Sequence, residues 1–243
     1  MVSDFQLRNL DVLKRFNRSF PEFYEQFVGR DVQLQNLKLA FQIHKTNQAV
    51  IQIVPEGDRS VLHFAHRNHS YLLSDLFGVM AAYKLTIHSV SLYGHVRPPM
   101  LVFVKLILSE QGKALTKKRS ERVRRALQQT LSGEFAVEEM LAMEFNLNEG
   151  LPQVTTSFYQ DQVFHLPALL VESTNHPALL YKVMHAVWQE ELLVVNINFM
   201  LWQGRVRLLL YLLGPNGNVI PDYLGSRIAA KIKDHLTGNT AFF

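Results

Sequence analysis

Three groups of residues in this 243-residue chain have the types and spacing that chemistry uses. The first is HFAHRNH, which offers His63, His66 and His69 as imidazole ligands for a metal ion. Its surroundings read as a strand, and residues three apart on a strand point to opposite faces, so His63 and His66 do not converge. Packed or surface imidazoles account for them better than a metal site. The second group is KALTKKRSERVRRALQQTL, whose run from Lys117 to Arg125 carries the charge of a nucleic-acid patch. Glu121 interrupts it, and Val123, Leu127 and Leu131 recur at helical spacing, which makes the charges the solvated side of an amphipathic helix. Nucleic acid is therefore not an expected partner. The third group is a pair of Asn-His dipeptides, Asn68-His69 and Asn175-His176, each just ahead of an apolar helical run. Such positions serve either a small ligand or the start of the helix itself, and the helix-start role is the simpler account of both histidines.

Catalysis finds no support in the remaining residues. There is no GxSxG elbow and no GxxxxGK phosphate loop, and the carboxylates Asp75, Glu110, Glu172, Glu190 and Glu191 are scattered. The chain has no cysteine, which removes disulfides, thiolate nucleophiles and cysteine-held metals. The expectation is a protein that is not an enzyme and carries no cofactor or metal. Hydrophobic residues make up 48% of the chain, enough for a real core, and the net charge of +4 is modest for the length. No apolar run reaches membrane-spanning length, and MVSDFQLRNLDVLKRF carries charges where an export signal needs an apolar stretch. No membrane partner is expected, and the cytoplasm is the expected location.

The elements that position these residues come from an internal repeat. LHFAHRNHSYLLSDLFGVMAAYKLTIHSVSL from Leu62 matches LLVESTNHPALLYKVMHAVWQEELLVVNINF from Leu169 without gaps, a shift of 107 residues. Asn68, His69, Leu72, Leu73 and Leu85 fall on Asn175, His176, Leu179, Leu180 and Leu192, and Leu76, Phe77 and Met80 on Val183, Met184 and Val187. Within each copy these apolar positions share one face of a helix. Strand-length apolar runs lie before each helix (Val61–Ala65, Leu166–Val171) and two more follow it (Thr86–Tyr93 and Met100–Leu108; Leu193–Leu201 and Arg205–Leu213). The second pair joins through Trp202, Gln203 and Gly204, a hairpin connection, whereas the first holds Gly94 and Pro98-Pro99, a longer and stiffer one. A turn and a second amphipathic helix end each copy, with Leu224, Ile228, Ile232 and Leu236 marking the later one.

The order β-α-β-β-α, with both helices on one side of a small antiparallel sheet, predicts an α+β sandwich of the ferredoxin-like type, with one sheet face left for a partner. A fourth strand completes such a unit. Phe135–Leu141 is the candidate in the first copy, Val154–Tyr159 is a donor for the second, and Gln48–Val54 forms an extra strand beside the first. Residues 1–46 read as a helical segment, with apolar stripes through Phe5, Leu10, Leu13 and Phe16 and then Leu34, Leu37 and Phe41. The expected fold class is thus α+β, two ferredoxin-like (βαββαβ) units over residues 47–142 and 150–243 behind an N-terminal helical segment.

NHPALLYKVMHAVWQEELLVVNINFMLWQGRVRLLLYLLGPNGNVI resembles an ACT domain, whose signature is Asp or Asn, a variable residue and Pro-Gly-Leu-Leu, followed by a strand that begins Asn-Ile. Asn175, Pro177, Ala178, Leu179 and Leu180, with Asn196 and Ile197, stand at those positions. NHSYLLSDLFGVMAAYKLTIHSVSLYG is a more divergent copy. The tandem arrangement is similar to the C-terminal ACT pair of bacterial PII uridylyltransferases and to plant ACT-repeat proteins, without the enzyme's catalytic domains. The resemblance implies a regulatory protein that senses an amino acid or related nitrogen metabolite and alters its contacts with a protein partner, as a homodimer. It implies a ligand between the first strand-helix loop and the second strand, hence Asn175, His176, Ala178, Leu179, Asn196 and Ile197 in the second copy, with Asn68 and His69 in the first. The family glycine is Ala178 in one copy and Tyr71 in the other, so a side chain at that position fills the pocket, and a ligand-free interaction scaffold is the alternative.

Overall fold

A computed structural model describes residues 10–239. Three helices come first, α1 (Leu10–Asn17), α2 (Phe23–Phe27) and α3 (Arg30–Thr46). The first repeat copy follows as β1 (Val50–Glu56), β2 (Arg59–Arg67), α4 (Leu72–Ala82), β3 (Thr86–Gly94), β4 (Leu101–Ser109) and α5 (Lys117–Leu131). A short helix, α6 (Val137–Ala142), leads into the connector. The second copy is β5 (Thr155–Asp161), β6 (Leu166–Thr174), α7 (Leu179–Gln189), β7 (Leu193–Trp202), β8 (Arg205–Leu213) and α8 (Asp222–Thr237). Phe5, placed above in the N-terminal stripe, lies outside the described residues.

Among the described residues eight strands form one antiparallel sheet in the order β1-β2-β4-β3-β7-β8-β6-β5, in which equivalent strands of the two copies stand at mirrored positions about the centre. This is an α+β architecture in which the two copies join within one chain. The join obeys the repeat: Ser91 of β3 pairs with Asn198 of β7, residues that the 107-residue shift makes equivalent. Each of these strands also carries one extra residue against its hairpin partner, His88 between Ile87 and Ser89 and Val195 between Val194 and Asn196, again 107 apart.

The central helices end alike. Lys84 and Glu191 both adopt left-handed φ of 55°, and the N–H groups of Leu85 and Leu192 reach back to the carbonyls of Met80 and Val187 at 3.0 and 3.2 Å. This closure satisfies a terminal carbonyl and turns the chain sharply into the next strand. The recurrence of that backbone, with Lys in one copy and Glu in the other, shows that the repeat runs deeper than its sparse identities.

Alternation along the strands sorts the side chains between two cores. Leu62, Phe64, Val104, Leu106, Leu208 and Leu210 face the helices α4, α5, α7 and α8 and form the main core. The opposite face is covered by the N-terminal helices, where Phe20, Phe23, Tyr24, Leu39 and Ile43 pack on Ala65, Phe103, Ala168 and Tyr211. Phe20 stacks on Tyr24 at 3.7 Å between ring centroids, and the Tyr24 hydroxyl accepts from Asn36 Nδ2 at 2.9 Å. The face expected to await a partner is thus partly filled by the chain itself.

One strand assignment is corrected. Phe135–Leu141 contains α6, not a closing strand: Val137 and Leu141, four apart, are both buried, and Glu138 and Glu139 suit the helix's first turn. The outer strands instead precede their copies, β1 beside β2 and β5 beside β6, as Gln48–Val54 and Val154–Tyr159 foreshadow.

Candidate functional site

Each strand-helix loop meets the other copy. The loop through Asn68 and His69 faces the start of β7, and with Leu192–Val194, the end of α7 and the β3–β4 connection it encloses a cleft of about 740 Å³. The loop through Asn175 and His176 faces Leu85–Ile87 at the start of β3, around a cavity of about 280 Å³. Leu85–Ile87 and Leu192–Leu193–Val194 are equivalent under the repeat, so the two clefts are counterparts across the sheet's centre.

Their difference in size has a local cause. Phe145 of the connector lines the smaller cleft, its ring 5.8 Å from that of His176. The larger is walled by Val96, Pro98 and Met100 from the longer β3–β4 connection, where the second copy has only a tight hairpin. The copy that keeps more of the signature therefore has the narrower cleft.

The loop polar groups are largely engaged in starting the helices. His176 Nδ1 accepts the Ala178 N–H at 3.1 Å and its carbonyl accepts the Leu179 N–H at 2.9 Å. An accepting Nδ1 requires a neutral ring, and burial, assisted by Lys182, lowers the His176 pKa. His69 Nδ1 lies 2.6 Å from the Ser70 carbonyl, and the Leu72 N–H reaches the His69 carbonyl at 3.2 Å. Asn68 and Asn175 are anchored through their backbones, to Met100 O at 2.5 Å and Gly204 O at 2.8 Å.

Not every candidate lies at a cleft. Asn68, His69, Asn175, His176 and Leu179 line the two cavities. Ala178 is fully buried. Asn196 stands at the sheet's centre opposite Tyr93, where its Nδ2 donates to Leu92 O at 2.8 Å, and Ile197 is buried in the main core beside it. Those two serve the join between copies.

Tyr71, where the resemblance expects glycine, has φ of +65°, a region glycine adopts freely and an aromatic residue does not. At Ala178 φ is −88°, where a side chain costs nothing. The Tyr71 ring does not fill the loop cleft. It lies on Trp188 of α7, centroids 3.7 Å apart, and lines both the 740 Å³ cleft and a second one beyond it.

That second cleft, of about 660 Å³, escaped the sequence reading. Asp75 of α4 and Glu138 of α6 enter it beside His185 and Trp188 of α7. Burial and the neighbouring Glu138 push the Asp75 carboxyl up to about 7. The Tyr181 hydroxyl donates to Glu138 Oε1 at 3.4 Å, and burial raises its own pKa.

The basic helix and the histidine strand resolve locally. Arg119 lies over the Tyr83 ring at 4.6 Å and pairs with Glu110 at 2.8 Å, and Arg124 pairs with Glu121, while Val123 and Leu127 are buried beneath. The His66 and His69 rings meet edge to face at 5.2 Å, with His66 Nδ1 at 2.7 Å from the Arg67 carbonyl. No helix among the described residues is long and apolar enough to cross a membrane. Compared with known proteins, the chain matches no family model, no curated protein and no solved structure.

Proposed function

We propose that the chain is a non-catalytic sensor built from two ferredoxin-like units of the ACT type, which binds an amino acid or related nitrogen metabolite in the loop clefts and changes its contacts with a partner protein. The observation that carries this reading is the pair of counterpart clefts, each formed by the strand-helix loop of one copy and the second strand of the other. A ligand there touches both copies at once, so its binding energy acts on the β3–β7 join. The strand order supports the unit assignment: β1-β2-β4-β3 is the 4-1-3-2 order of a ferredoxin-like sheet, with the last strand supplied from ahead of the unit.

The same reading takes the intrachain pair as the form in which the units work and places a homodimer or other partner on surface the N-terminal helices leave open. Met200 and Trp202, two apart on β7, are 55% and 67% exposed and share one sheet face. The scaffold alternative draws on Phe145, whose ring occupies part of the narrower cleft.

A thermal-shift panel of the twenty amino acids and common nitrogen metabolites tests the proposal, since a ligand of the native state raises its stability by mass action. The sensor predicts a selective shift that Asn68→Ala or Asn175→Ala removes. A flat response at millimolar concentrations across the panel favours the scaffold.

A further inference from the structure

The cleft between α4, α6 and α7 is lined by four oxygen-bearing aliphatic side chains, two of which have no hydrogen-bond partner among the described residues. Asp75 and Glu138 both line it, with Glu138 close enough to disfavour the charge on Asp75. Thr130, at the end of α5, is 7% exposed and lines the cleft, and among the described residues its buried hydroxyl has no hydrogen-bond partner; Gln189 Oε1, from the other wall, has none there either. An unmet buried polar oxygen is costly, and two of them beside two carboxyl groups at one opening define a place for N–H donors. The aromatic wall completes the chemistry. Tyr71 and Trp188, centroids 3.7 Å apart and tilted by 32°, present π-faces and edges to the same space. Carboxylates beside aromatic faces select an organic cation over an anion or a neutral molecule.

The repeat sharpens this. Under the 107-residue shift Asp75 falls on Lys182, whose buried ammonium donates to the carbonyls of Leu147 and Glu149. In the second copy an ammonium from the chain itself fills the space beside the helix, whereas in the first a carboxyl group faces an open cleft.

We propose that this cleft binds a primary organic amine, its ammonium received by Asp75 and Glu138 and its apolar body held against Tyr71 and Trp188. The proposal does not rest on amino-acid sensing, because the ligand needs no carboxylate and the cleft lies beyond the loop cavities, sharing only Tyr71, Trp188 and Gln189 with the larger one. His185 stands in the same wall, its ring 5.7 Å from Tyr181 and 5.8 Å from Trp188.

The chain has two tryptophans, and Trp202→Phe leaves Trp188, inside the cleft, as the one tryptophan excited at the red edge of the absorption band, where tyrosine does not absorb. Butylammonium and phenethylammonium chlorides, titrated into that variant, are expected to change Trp188 emission saturably. The uncharged 2-phenylethanol is expected to leave it unchanged. Asp75→Asn and Glu138→Gln in the same background each weaken the amine response by about tenfold or more, as loss of a charge-assisted contact requires. The two variants sit on different helices, so a folding defect in one leaves the other to decide. No saturable change up to about 10 mM amine, a millimolar contact being the weakest that counts as binding, overturns the proposal. So does an equal response to the alcohol, or unchanged affinity in both carboxyl variants.

Discussion

Ser91 and Asn198, the same position in the two copies of the repeat, face each other across the ladder that joins β3 to β7. A twofold relationship in the sequence has thereby become a twofold relationship in space, with its centre at that pair. The helices follow it: Tyr71 at the start of α4 meets Trp188 at the end of α7, and Gly78 in the middle of α4 meets Tyr181, so the two helices run antiparallel across the same axis.

The β3–β7 ladder pairs three residues on each strand, and Asn196 adds a side-chain bond to it, from Nδ2 to Leu92 O. Asn196→Ala leaves that carbonyl without its side-chain donor and is expected to lower stability by about 1 kcal/mol. Hydrogen exchange should show the loss concentrated at the β3–β7 amides. An equal loss spread through all eight strands would mean that the ladder opens only with the whole fold.

Close approach of three helices depends on Gly78. A Cβ there would stand 2.5 Å from Val137 Cγ2 and 3.0 Å from Tyr181 Cδ2. Gly78→Ala should cost about 1–3 kcal/mol through overpacking, despite alanine's better helix propensity, and chemical denaturation reads the sign. A gain in stability would show that α6 yields freely.

A half-buried carboxyl and a buried imidazole give the stability opposite pH dependences. The Asp75 carboxyl, raised to about 7, is destabilising when ionised, so its contribution falls as pH rises from about 4 through 7. His95, buried and lowered to about 4, resists protonation in the fold while the unfolded chain accepts a proton near the ordinary histidine value, so its contribution falls as pH drops from about 6.5 to 4. Asp75→Asn should stabilise the protein at pH 8, by about 1 kcal/mol or more, and lose that advantage by pH 4. It should also expose a steeper acid decline, which His95→Phe flattens. Thermal melts across that range check both signs, and parallel curves for all three proteins would contradict the assignment.

Lys182 is buried at 1% exposure, and burial lowers its pKa while Glu149 opposes the shift. Its ammonium ties the carbonyls of Leu147 and Glu149 to α7, so Lys182→Ala removes the donor for two connector groups together. The expected loss is about 2–4 kcal/mol in denaturant unfolding, and a change below about 0.5 kcal/mol, the scale of ordinary surface substitutions, would place the connector elsewhere in solution.

Much of this fold was legible because the repeat supplied two readings of each element. Leu72 to Met80 and Leu179 to Val187 share a helical stripe, and the six strands within the repeat all fall on the apolar runs that marked them. The outer strands were harder, since a unit of this order leads one to look for the closing strand after the second helix. FAVEEML reads as an apolar run until Val137 and Leu141 are seen to lie one helical turn apart. Asn68, His69, Asn175, His176 and Leu179 line the two loop cavities, whereas Asn196 and Ile197 lie at the β3–β7 join, a difference in place that a short motif does not encode. Asp75, Glu138 and His185 were not legible as a group. They come from three helices, no spacing links them, and Asp75 reads as one of several scattered carboxylates; its counterpart under the repeat is Lys182, the difference that leaves the cleft open.

Backbone amide chemical shifts of the isotope-labelled protein, followed as the amino acid with the largest thermal shift is added, test the sensor most directly. The account predicts perturbations clustered at Asn68–Leu72 with Leu192–Val194, or at Asn175–Leu179 with Leu85–Ile87, and passing to the Ser91 and Asn198 amides at the join. Saturating ligand that perturbs neither loop, or a loop without the facing strand of the other copy, would contradict it.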